Sequence, residues 1–199
     1  MLLFYLLSMD AYTLVLQEDH LFEWLTFALL LLTGCLSVYL ALQIKKRYGY
    51  LHWFFAIFSA FNFLAGFEEI SWMQRVFDWE TKGVFSTYSD QNETNIHNMV
   101  QGAFRIRTRL VALLVLAMYG LVLPWLTGIQ MVRDFFARHK QLILPPRFLS
   151  LGYLFASLLM LDEPTGQEEE LGEFFYSSCF LWMMLYNYCL FRHTNHFQP

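Results

Sequence analysis

Residues 24–43 read WLTFALLLLTGCLSVYLALQ, a run from Trp24 to Gln43 without one charged side chain. A helix rises about 1.5 Å per residue, so such a run matches the roughly 30 Å hydrocarbon core of a bilayer. It is apolar on all sides rather than along one stripe, as lipid-facing or bundle-core helices are. Lys45, Lys46 and Arg47 follow at once and mark its end.

Four further runs share this character: residues 48–67, 110–132 (with Pro124 as a kink), 148–161 and 174–191. The expected fold is therefore all-α, a polytopic membrane helix bundle of about five transmembrane helices in one domain over residues 1–199. Composition agrees. Apolar residues make up 57% and charged residues 15%, against about 25% charged in soluble domains, and mean hydropathy is +0.38. Trp24, Tyr48, Tyr50, Trp53, Trp72, Trp79 and Tyr153 stand near run ends, where amphipathic rings suit the headgroup boundary. The net charge of −4 argues against nucleic acid as a partner. Cys35, Cys179 and Cys189 all lie in apolar runs and are expected to be buried free thiols. Residues 1–7 are apolar but lack a basic flank and a small-residue cleavage site, so they read as a packed or interfacial segment.

Orientation follows from the basic residues. With five spans, Lys45, Lys46, Arg47, Arg133, Arg138, Lys140, Arg147 and Arg192 fall on one side, which the positive-inside rule assigns to the cytoplasm. The N-terminus is then outside and the C-terminus cytoplasmic, in what reads as a bacterial cytoplasmic (inner) membrane. All acids but Asp134 fall on the other side. Arg105, Arg107 and Arg109 oppose the scheme and are expected to pair with those acids.

The chemistry gathers on the acidic side, much of it in the polar segment 68–109. Residues 68–81 read EEISWMQRVFDWET and continue the second run without a helix breaker. As a helix they place Glu68, Ser71, Trp72, Arg75 and Trp79 on one face. Adjacent carboxylates at a span mouth are costly to desolvate and need a cation, a proton or a metal ion. Glu68 and Glu69 are candidate acid/base or metal-ligating groups, with Ser71 and Arg75 beside them. The alternative is structural, with Glu68 reaching Arg75 or an arginine of the 105–109 group. Residues 90–98 read DQNETNIHN; Glu93 and His97, four apart, are a candidate metal pair, and Asn95, Asn98 and Arg105 a candidate polar substrate surface. Residues 162–173 read DEPTGQEEELGE. Thr165 and Glu168 form a capping box there, and Glu169 and Glu173, which share a face leading into the fifth run, join the candidate polar substrate site. The fourth run, 148–161, is short, about 21 Å at 1.5 Å per residue. His193 and His196 read as a basic helix end.

The strings at residues 68–81 and 91–98 resemble an uncharacterised family of bacterial multi-pass membrane proteins with an EEISWxQRxFxxET…QxExNxHN signature. That family often has glycine where Met73 stands and leucine where Ile96 stands. The resemblance implies location and architecture, not an activity. Glu68-x-x-Ser71 is also similar to the first motif of the alkaline ceramidase superfamily of zinc-dependent membrane hydrolases. The chain has neither their seven spans nor their intramembrane His-x-x-x-His.

The expected function is a membrane-embedded enzyme with an acidic site at the outer interface, a divalent metal ion being the candidate cofactor. A non-catalytic accessory subunit or assembly factor is the alternative. Membrane lipids are the expected partners, with other membrane subunits as a further possibility. A transporter is disfavoured by the charge-free runs; Glu23 and Asn62 are the only polar candidates near a path.

Overall fold

The computed structural model describes residues 21–77, 79–83, 86–87, 96, 100, 108–161, 168–194 and 196–197. Among these the fold is all-helical. The long apolar run becomes α1, Leu21–Tyr48. Its basic last turn, Lys45 to Arg47, complements the helix dipole, and Gly49 at φ +79° turns the chain. The second run begins later than its sequence suggests, because this turn and residues 51–52 are not helical: α2 is Trp53–Glu69. A short α3, Gln74–Phe77, comes next.

The third run is not one straight span. α4, Thr108–Ala117, passes through a π-turn at Met118–Val122 into α5, Leu123–Leu126. The chain then bends by 109° into α6, Gln130–Arg138, so the expected boundary at 132 is corrected to 126. Pro124 explains the disturbance. It has no N–H to give to the carbonyl four residues back, and that carbonyl, of Gly120, instead accepts the Ser150 hydroxyl at 3.1 Å. Pro124's own carbonyl accepts Arg147 Nε at 3.1 Å. α6 buries none of its residues.

A 3₁₀ turn at Arg147–Leu149 leads into α7, Ser150–Leu159, and α8 is Glu169–His193. α1 packs on α2 and α8, and α7 packs on α8 and on the π-turn. Phe55, Leu40, Ile44, Tyr153, Met183 and Met184 fill the centre. The surface inverts the habit of water-soluble domains. Leu32, Ile57, Leu64, Leu114, Leu151 and Trp182 are each more than half exposed, while Thr33, Ser37, Asn62 and Asn187 are buried. α1 is the one described helix long and apolar enough to cross a membrane by itself; the bent α4–α6 stretch passes the same test only as a pair. Burial of the thiols holds for Cys179 alone, since Cys35 and Cys189 lie on outward faces.

Candidate functional site

α2 ends at Glu69, and residues 70–73 do not carry the helix on as their sequence suggests. Ser71, Trp72 and Met73 all take positive φ, at 45°, 54° and 68°. A left-handed conformation costs an L-residue about 1–2 kcal/mol, so neighbouring contacts must hold the turn. Ile70 and Ser71 are buried beneath it. The Trp72 ring stacks on Phe67 at 5.7 Å, and its indole N–H donates to Glu68 Oε1. The continuous helix expected from Glu68 onward is therefore broken at Ser71–Met73. Because Met73 occupies a conformation natural to glycine, Met73→Gly is expected to raise stability by up to about 1 kcal/mol, measured as thermal unfolding in detergent.

The second oxygen of Glu68 accepts the backbone N–H of Ile96 at 2.7 Å. This fastens the polar segment back onto the end of α2. The side chain of Arg75 lies outside the described set. Glu93, Asn95, His97, Asn98 and Arg105 also lie outside the described residues, as does Thr165 of the expected capping box. Glu168 precedes α8 with its own side chain buried. Gln74 ties the next stretch together by donating to Thr81 Oγ1 at 2.8 Å and to the Trp79 carbonyl at 3.1 Å.

The adjacent side chain, Glu69, turns into the bundle. α2 and α8 run antiparallel, with Phe58 and Phe180 rings 5.3 Å apart lower down. That register brings Glu69 to the first turns of α8. Carboxylate oxygens of Glu69, Glu170 and Glu173 lie within 4.8 Å of one another. Phe22 meets Phe174 at 5.5 Å and holds the start of α1 alongside, so that Glu23 acts on Glu69 as well.

Burial is the main cause that raises the Glu69 carboxyl, to about 8, and the charges of Glu170, Glu23 and Glu169 add to it. Glu173 is raised well above the carboxylate range, first by burial and then by Glu69, Glu170 and Glu169. The two carboxyls hydrogen-bond each other, which requires the pair to share a proton. One more buried polar group lies towards this end of the bundle. Thr26, three residues after Glu23 on the buried face of α1, is 1% exposed and its hydroxyl has no hydrogen-bond partner.

Of the expected residues, the structure unites Glu69 with Glu173, sets Glu169 at the edge, and uses Glu68 and Ser71 to build the turn. Glu170, Glu23 and Thr26 were not singled out by spacing. Glu170 is one of three consecutive glutamates, and only the way α8 packs against α1 and α7, beside the end of α2, chooses among them. The three carboxylates are hard oxygen donors on two rigid helices. Two ligands of a cation bound at about 2.1–2.4 Å lie no farther apart than about 4.8 Å, so the grouping fits Mg²⁺, Mn²⁺ or Ca²⁺. Compared with models of protein families, with curated proteins and with solved structures, the chain matches none.

Proposed function

We propose that this chain is an integral membrane enzyme whose acidic site, at the outer rim of a five-span bundle in a bacterial cytoplasmic membrane, holds a divalent cation between Glu69, Glu170 and Glu173. The observation that carries the reading is the meeting of these carboxylates, from helices far apart in sequence, within 4.8 Å. The buried, unpartnered Thr26 hydroxyl, one helix turn after Glu23 on α1, supports it as a further oxygen donor towards this end of the bundle. The exposed leucines, isoleucines and tryptophans on the exterior of the bundle support a lipid surrounding. The basic turn after α1 and the acids at the opposite end support an N-terminus outside and a cytoplasmic C-terminus.

A cation held there supplies Lewis-acid polarisation of a carbonyl or phosphoryl oxygen and a bound water of lowered pKa. The chain's own groups do the rest. Without a cation the Glu69 and Glu173 carboxyls share a proton, and a bound cation would displace it from those oxygens. Glu68 fixes the loop that borders the site through Trp72 and Ile96. The substrate class this location favours is a lipid whose reacting group sits at the headgroup boundary.

The test is binding of Mn²⁺ to the protein purified in mild detergent, followed by electron paramagnetic resonance. One site is expected, with affinity lowered about a hundredfold by Glu69→Gln or Glu173→Gln. Wild-type protein that leaves all the Mn²⁺ free at neutral pH would end the proposal.

A further inference from the structure

α6, Gln130–Arg138, buries none of its residues, yet it is not polar throughout. Successive helical residues turn by about 100°. Met131, Phe135, Val132 and Phe136 therefore fall within an arc of about 140°. Arg133 and Arg138 border that arc on its two sides, and Gln130, Asp134 and Ala137 lie opposite. The arc stands open: Met131 is 75% exposed and Phe135 44%. Charge is concentrated here as well. Residues 130–147 carry Arg133, Arg138, Lys140 and Arg147 against Asp134 alone, in a chain whose net charge is −4.

The corner that leads into α6 suits a bilayer boundary. From Thr108 to Leu126 the chain runs about 28 Å as helix, close to the thickness of a hydrocarbon core. It then bends by 109°. A bend so near a right angle lays α6 close to the plane of any membrane that α4 and α5 cross. Trp125 and Ile129 stand exposed at the bend. The Trp125 indole N–H donates to Ser150 Oγ at 3.1 Å. The Arg147 guanidinium lies 5.4 Å over the same ring, and its Nη2 donates to Thr127 Oγ1 at 3.2 Å. With Nε on the Pro124 carbonyl, this exposed arginine is held in place. It carries five N–H donors, so some remain for a phosphate oxygen.

An apolar arc bordered by arginines is the pattern of a helix lying in the headgroup layer. Its rings sink to the acyl boundary, and its guanidinium groups reach up to the phosphates. We infer that α6 lies in the cytoplasmic headgroup layer and, with Arg147 at its root, binds anionic phospholipid. Charge selects this occupant. A second copy of the chain, meeting α6 about a two-fold axis, would set Arg133 and Arg138 against their own counterparts. A neutral surface would leave them unmatched. Anionic headgroups answer them directly.

This inference rests on the bundle crossing the bilayer, as proposed above, but needs no bound cation. The full chain in mild non-ionic detergent is offered equal amounts of phosphatidylglycerol and phosphatidylcholine, and the retained lipid is read by native mass spectrometry. Phosphatidylglycerol is expected to dominate. Arg133→Gln and Arg138→Gln should each weaken its binding roughly fivefold, and together about thirtyfold. Lys82→Gln, the same charge change at an exposed residue of the outer segment, should leave it unchanged. A double variant that keeps the wild-type preference, or a wild type with none, overturns the inference. Placement is read in nanodiscs, where both faces are open to reagent. In the cysteine-free chain, Phe135→Cys should react with a water-soluble maleimide about tenfold more slowly than Ala137→Cys on the opposite face. Equal rates overturn it, and so does a dimer that Phe135→Asp dissociates. The double variant should bind Mn²⁺ like wild type, and Glu69→Gln should keep the phosphatidylglycerol preference, so the acidic site and this surface fail separately. Spanning is checked in intact cells, where Gly83→Cys is to be labelled from outside and Lys140→Cys only after permeabilisation. Labels on the wrong sides overturn both readings; correct labels without lipid preference overturn this one alone.

Discussion

Gly120→Ala is expected to be the most damaging methyl that can be added to this protein. A Cβ at Gly120 would stand 2.0 Å from Cδ1 and Cγ of the Tyr153 ring, far inside contact distance, so backbone or ring must move. The ring cannot swing away. Tyr153 is fully buried, and Tyr119, Tyr176 and Phe180 hold it at ring separations of 6.4, 5.8 and 6.3 Å. The backbone is equally committed, since the Gly120 carbonyl accepts the Ser150 hydroxyl that replaces the N–H missing from Pro124. Overpacking a tight core costs about 1–3 kcal/mol, and more where neighbours cannot yield. The expected result is a large drop in the unfolding midpoint in detergent, or no recoverable protein. Leu114→Ala, on the outward face, is the matched control and should behave like wild type. A Gly120→Ala protein as stable as that control would mean that α4 and α7 do not meet as described.

The second large effect is a dependence of stability on pH that runs opposite to ordinary acid denaturation. A carboxyl raised in the folded state binds protons more tightly there than in the unfolded chain. Stability therefore falls as pH rises between the unfolded and folded values. For Glu69 that window runs from 4.5, its ordinary value, to about 8. Glu173 is raised in the same direction and extends the loss further upward. Metal-free protein in EDTA is thus expected to be most stable near the acid end of this window and to lose stability steadily towards its alkaline end. The Glu69→Gln, Glu173→Gln double variant should be nearly flat across it. Because a cation competes with protons for the same oxygens, added Mn²⁺ should restore stability at the alkaline end and do little at the acid end. A wild-type curve that rises through neutrality would show that these groups are ionised and paired rather than sharing a proton.

How far the site could be foreseen differs from one residue to the next. Glu69 and Glu173 are conspicuous, as carboxylates at the ends of apolar runs, and the structure joins them. The left-handed turn at Ser71–Met73 carries no glycine or proline to announce it. It exists because Glu68 and Phe67 capture Trp72, and an intrinsic preference for helix loses to those contacts. Pro124 marks a kink in any reading, yet where the chain bends, and that Ser150 repairs the lost bond, depends on α7 packing alongside.

The all-helical character of the described residues and the position of the long first helix were settled by the sequence alone. Both follow from an uninterrupted apolar run, a local property that needs no partner to be read. Which glutamates of α8 meet Glu69, and that Thr26 and Asn62 are buried, was decided only by the tertiary structure. Those outcomes depend on the register and rotation of whole helices, some adjacent in the chain and some about a hundred residues apart. A shift of one residue, about 100° around a helix axis, would turn each of these groups away from its neighbours.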